Sequence, residues 1–215
     1  MCVEKIYCNF AVMNEIKWSE NIILTDAEYI DKVAFDLIVN FERMLGRRIP
    51  PADMARWLDC VALDGGMREL PQAEGSTERV NEVLAVFIHD KRHGSLNNYA
   101  PSDFSKELNG KAFKDHLGEF SISALPVEEI TTKADFFIDT LQLVCAQSDV
   151  KRVMVVASDE LYDRVRQTLR NVDDEKRITV FGMQPREGGN FRQEILGYSL
   201  MAALGIRSEE IMQKT

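Results

Sequence analysis

The sequence predicts a doubly wound α/β fold, with a mainly parallel sheet and an N-terminal helical extension. Two observations predict it. Apolar runs of strand length, rich in Val, Ile and Phe, recur at residues 83–88, 120–125, 153–157 and 178–181. Between them lie segments whose apolar residues repeat at helical spacing. Strands nearly continuous in apolar residues, each followed by an amphipathic helix, are what a parallel sheet covered on both faces requires. A length of 215 residues, 45% hydrophobic and 28% charged, suits one compact unit rather than two full domains.

Taken in order, residues 5–12 read as a strand of imperfect alternation. Thr25 followed by Glu28 forms a capping box, and Ile30, Val33, Leu37, Ile38, Phe41 and Leu45 recur at helical spacing until Gly46, which predicts a helix over 26–45. After Arg47-Arg48-Ile49-Pro50-Pro51, a short helix opens near Ala52. The run 57–63 is either a strand or the continuation of that helix. Residues 1–56 are therefore expected as an extension packed on the core, and 57–215 as the α/β domain. Helices are expected over 102–117, 133–147 and 159–170 in alternation with the strands. A last helix follows Gly188-Gly189-Asn190 and carries Phe191, Ile195, Leu196, Leu200 and Ala203. Apolar on more than one side, it is either deeply packed or a surface for homo-oligomer formation.

Composition narrows the function. Lys and Arg number 26 against 35 Asp and Glu, a net charge of −9, so binding to nucleic acid needs a local basic patch or a metal ion. Lys151-Arg152, Arg164, Arg166, Arg170 and Lys176-Arg177 are candidates for such a face toward RNA, or for ordinary solvated surface. Cys2, Cys8, Cys60 and Cys145 are too sparse for a disulfide framework and show no C-x-x-C. The start MCVEKIYCNF has no secretory pattern and no run is long enough to span a bilayer, so a cytoplasmic protein without membrane contact is expected. G-x-G-x-x-G, Walker A and G-x-S-x-G motifs are absent. His89, His93 and His116 show no metal-ligand spacing, and Asp90-Lys91-Arg92-His93 reads as a solvated or phosphate-contacting loop.

In an open α/β sheet the ligand binds outside the carboxyl ends of the strands. Acids follow the apolar runs there: Asp64, Asp90 and Asp159-Glu160. Asp135 and Asp139 stack one turn apart on the helix before the run 153–157. Clustered carboxylates suit a hard divalent cation, which can activate water against a phosphoryl group. The competing reading is structural. Asp159 and Glu160 complement the helix dipole behind Ser158, Asp135 completes a cap with Thr132, Asp139 faces solvent and Asp64 forms a turn.

The stretch Ala134-Asp-Phe-Phe-Ile-Asp139, then Val153-Met-Val-Val-Ala-Ser-Asp-Glu160, a helix, and Ile178-Thr-Val-Phe-Gly182 resembles the second half of a NYN domain of the PIN-like nuclease superfamily. The resemblance covers residues 57–183. It implies a Rossmann-like, PIN-like three-layer sandwich and RNA cleavage with Mg²⁺ or Mn²⁺ held by the positions matching Asp64, Asp135, Asp139 and Asp159. Asp64 is matched to the aspartate that ends the family's first strand. Two departures stand out: Leu161 occupies the place of a second aspartate, and only residues 67–82 join the runs 57–63 and 83–88 where the family has a helix. The alternative is a non-catalytic α/β module that binds a partner protein or a small ligand.

Overall fold

The central strand of the sheet lies inside the stretch expected to be an appendage. The computed structural model describes residues 17–70, 80–173 and 175–212, so the strand expected over 5–12 lies outside the described residues. β1 (Asn21–Asp26) is followed by α1 (Ala27–Leu45), β2 (Ala52–Asp53), α2 (Met54–Asp64), β3 (Asn81–Asp90) and β4 (Tyr99–Ala100). A π-helical turn (Phe104–Leu108), β5 (Ala112–Lys114), β6 (Gly118–Val127), α3 (Lys133–Ala146) and β7 (Arg152–Val156) come next. A 3-10 turn (Asp159–Leu161), α4 (Tyr162–Leu169), β8 (Arg177–Gly182), β9 (Arg192–Ile195), α5 (Leu196–Ala203) and α6 (Ser208–Met212) follow among the described residues.

Seven strands form one sheet in the order β5-β6-β3-β1-β7-β8-β9, parallel throughout except for β5. β1 pairs with β3 on one side and β7 on the other. Its side chains alternate between two cores, as the strand period requires. Ile23 packs with Ile30 of α1, Trp57 of α2 and Leu200 of α5. Ile22 and Leu24 pack with Phe137 and Leu141 of α3 and Val165 of α4. Helices therefore cover both faces, and the α/β architecture is as expected. The chain runs outward from β1 through β3 and β6, then crosses to β7, β8 and β9. The order reverses at β1 and β7, where such sheets bind ligands.

One open alternative is settled and three local expectations are corrected. Residues 57–63 are helix, because Trp57, Leu58, Val61 and Ala62, all fully buried, form one stripe of α2, and Asp53 caps it by accepting the Arg56 N–H at 3.0 Å. The cap of α1 is Asp26, which accepts the Tyr29 N–H at 3.2 Å, and not Thr25, which is the penultimate residue of β1. The helix expected over 102–117 stops after one turn. There the Asn109 side chain accepts the Ala124 N–H at 3.0 Å, and Gly110, at φ 72°, turns the chain into β5. The last helix starts only at Leu196, since residues 192–195 are taken up in pairing with β8. Leu196, Ser199, Leu200 and Ala203 of α5 are buried in the core with α2, which explains why that segment is apolar on more than one side.

Candidate functional site

The carboxyl end of β1 carries Asp26, whose side chain is only 3% exposed. Burial lifts its carboxyl above the ordinary aspartate value, against the pull of Lys133 and the Tyr29 N–H. The Lys133 ammonium lies directly on Asp26 Oδ1 and 2.8 Å from Glu28 Oε2. The second oxygen of Glu28 accepts the backbone N–H of Asp90, the last residue of β3, at 2.8 Å. Burial opposes ionisation of Glu28, but the bonds from Lys133 and Asp90 outweigh it and hold the carboxyl below the usual range. Burial likewise works against the Lys133 charge, yet the two carboxylates raise its pKa above that of a free lysine. Across the switch point, Asp159 follows β7 and pairs with Arg186 at 2.9 Å. The Arg186 guanidinium carbon lies 5.3 Å from the centre of the Tyr162 ring. Tyr29, pushed up to about 12 by burial and then by Asp159, carries a buried hydroxyl with no hydrogen-bond partner among the described residues.

The acids chosen from the sequence do not meet at this edge as a set. Asp64 ends α2. The carbonyl of the next residue, Gly65, accepts from Arg152, the first residue of β7, so Asp64 lies at the amino edge of the sheet. Its electrostatic neighbours are Glu194, Arg192 and Arg68. Asp135 is exposed, accepts from Thr132 Oγ1 at 2.7 Å and from Arg164 at 2.8 Å, and is held below the usual carboxylate range by these bonds. Asp139, one turn on, is raised by burial and by Asp135. The basic stretch also divides. Arg164 serves Asp135, whereas Arg152 and Arg177 begin β7 and β8 at the amino edge.

Beside the N-terminal half of α1 lies an open pocket of about 710 Å³, lined by Glu28, Lys32, Phe35, Arg92, His93 and Phe104 among others. Glu28, Lys32 and Phe35 fall at i, i+4 and i+7 and share one helix face. Phe35 is 54% exposed. Lys32 is exposed and makes no hydrogen bond or ion pair among the described residues. Arg92 pairs with Asp90 at 2.6 Å, and His93 Nδ1 stands 3.5 Å from Glu28 Oε1. His89 is structural: it is buried, stacks on Phe104 at 4.0 Å between ring centres, and bonds the carbonyls of Asp90 and His93.

A separate group sits at the amino edge. Asp59 of α2 meets Asp115 and His116, which precede β6, with one donor atom of each within 4.8 Å of the others. Burial and the Asp115 carboxylate push Asp59 up to about 6. Among the described residues no such group contains Asp64, Asp135, Asp139 or Asp159.

Sequence reasoning missed Asp26, Glu28, Lys133 and Lys32. A signal was available in Asn21-Ile-Ile-Leu-Thr-Asp26, an apolar run ending in an acid and followed by a helix, the pattern that selected Asp159. Reading Thr25 as a cap absorbed that run into the helix start. No curated protein and no solved structure matches this chain. The sequence profile of DUF6621, a family of unknown function, matches residues 15–211, and the chain belongs to that family.

Proposed function

We propose that the chain is a binding module for a phosphate-bearing, nucleotide-sized ligand, taken in the 710 Å³ pocket at the carboxyl edge. One observation carries this reading. Asp26, Glu28, Asp159 and Asp135 have their counter-charges within the chain, whereas Lys32 has none among the described residues and faces the pocket one turn from the exposed ring of Phe35. A phosphate would take Lys32 and Arg92, and a base would stack on Phe35, a contact worth about 1–3 kcal/mol. Calorimetric titration with nucleoside monophosphates and short single-stranded RNA tests it. Saturable binding that weakens in Lys32→Ala and Phe35→Ala and with rising salt supports the reading; no binding by the wild type ends it.

A second reading, cleavage of RNA, is favoured by Asp26, since a strand-end aspartate is what the NYN resemblance sought in Asp64. Mg²⁺ or Mn²⁺ needs carboxylate oxygens free to ligate it. Here Lys133 pairs with Asp26 and Glu28, Arg186 with Asp159 and Arg164 with Asp135, and among the described residues no three carboxylates of this edge come close enough to share one ion, so these residues do not fit a divalent ion in this arrangement. RNA cleavage with added Mn²⁺ that Asp26→Asn abolishes would replace binding by cleavage as the function.

A further inference from the structure

We propose that the Lys133 ammonium is the resident cation of the carboxyl edge, balancing Asp26 and Glu28 without a divalent ion, and that its removal uncovers a divalent-cation site.

The carboxylates converge. One oxygen of each contacts the same Nζ. Glu28 is also held from behind, its other oxygen accepting the Asp90 N–H at 2.8 Å, and the Asp26 oxygen that meets Lys133 also accepts the Tyr29 N–H at 3.2 Å. Two fixed oxygens thus point at one position, and Asp26 is nearly inaccessible to solvent while Glu28 and Lys133 are under a third exposed. A negative charge so deeply placed requires a partner.

The position of Lys133 supplies an independent reason. It is the first residue of α3, capped by Thr132, where the helix dipole disfavours a positive side chain. The helix dipole gives no reason for a lysine there; the two carboxylates do. The charges add to −1 at this point, with His93 Nδ1 at 3.5 Å from Glu28 and the Tyr29 hydroxyl, which feels the Asp26 charge, as further titratable neighbours. An ammonium satisfies the pair with directed hydrogen bonds, and it excludes a metal from the same oxygens.

The inference does not rest on the identity of the pocket ligand, and a failed nucleotide titration leaves it intact. Its test is Mn²⁺ binding, followed by electron paramagnetic resonance of the free ion and by thermal unfolding, on the wild type, Asp26→Asn, Lys133→Met and the double variant Lys133→Met/Asp26→Asn. The wild type is expected to leave Mn²⁺ free at this site. Lys133→Met should bind it at least about tenfold more tightly and gain in melting temperature with added metal, and the double variant should lose both effects. Wild-type binding that disappears in Asp26→Asn overturns the proposal, as does Lys133→Met behaving like wild type. If Lys133→Met does not fold alone, refolding with Mn²⁺ replaces the titration. Recovery only with metal supports the proposal, and no recovery, with Lys133→Arg folded, overturns it.

Discussion

Lys133, the first residue of α3, places its ammonium against the carboxylate of Asp26, the last residue of the central strand, and so ties the helix on one face to the switch point of the sheet. Breaking a buried pair by removing one partner leaves the other charge uncompensated. Lys133→Met is expected to cost about 3 kcal/mol at neutral pH. The sign of its pH dependence follows from Asp26. Burial raises its folded-state pKa above the ordinary value, so its protonated form favours the folded state. The loss in Lys133→Met should therefore shrink as the pH falls from about 7 to about 5. Urea unfolding at the two pH values checks this. Asp26→Asn leaves Lys133 its bond to Glu28 and should cost less, about 1 kcal/mol.

In the pocket beside α1, Lys32 and Phe35 are expected to act on different parts of a nucleotide. Lys32→Ala should weaken binding about tenfold and flatten its salt dependence, because a phosphate contact and its released counterion are lost. Phe35→Ala should weaken binding by a similar factor with the salt slope unchanged, since stacking carries no net charge. Asp64→Asn, at the opposite edge of the sheet, should leave affinity unaltered. Titrations at two salt concentrations separate these outcomes.

The Asp59 and Asp115 pair gives the amino edge its own pH response. Asp59 is raised to about 6, so the stability it contributes is complete below its ordinary value and is lost as the pH rises through about 6. Asp59→Asn removes the repulsion and keeps the shape. Its melting temperature should match the wild type near pH 4 and exceed it above about pH 7. A series of thermal melts across that range is the measurement.

Trp57 tests whether residues 57–63 belong to the core as helix. The ring is fully buried, 5.7 Å from Tyr99 and 6.2 Å from Phe87 between ring centres. Trp57→Ala should cost about 3–5 kcal/mol through lost burial and a residual cavity. Asp64→Asn, on the same helix, should change stability by no more than about 0.5 kcal/mol. Denaturant midpoints compare the two.

Several elements were legible because their signals are local. The strands at β3 and β7 are continuous apolar runs, those at β6 and β8 are rich in apolar residues, and α1 and α3 carry helical periodicity over three or more turns. The run 57–63 was ambiguous because five or six apolar residues suit a strand and a buried helix stripe alike. The single helix expected over 102–117 failed for another reason. Asn109 finds its partner at Ala124, fifteen residues away, and that bond ends the helix.

By itself, the sequence determined the α/β class, the alternation of most elements and the presence of an acid after β7, since all of these follow from periodicity and order along the chain. Only the tertiary structure decided which acids share an edge. A parallel sheet sends consecutive strand ends and helix ends to opposite edges, so Asp64, ending a helix, falls away from Asp159, while Lys133 comes into contact with Asp26 and Glu28, more than a hundred residues before it in the chain. The partner of a charge is set by that folding back of the chain, and the partner decides whether a carboxylate is free to hold a metal or already holds a lysine.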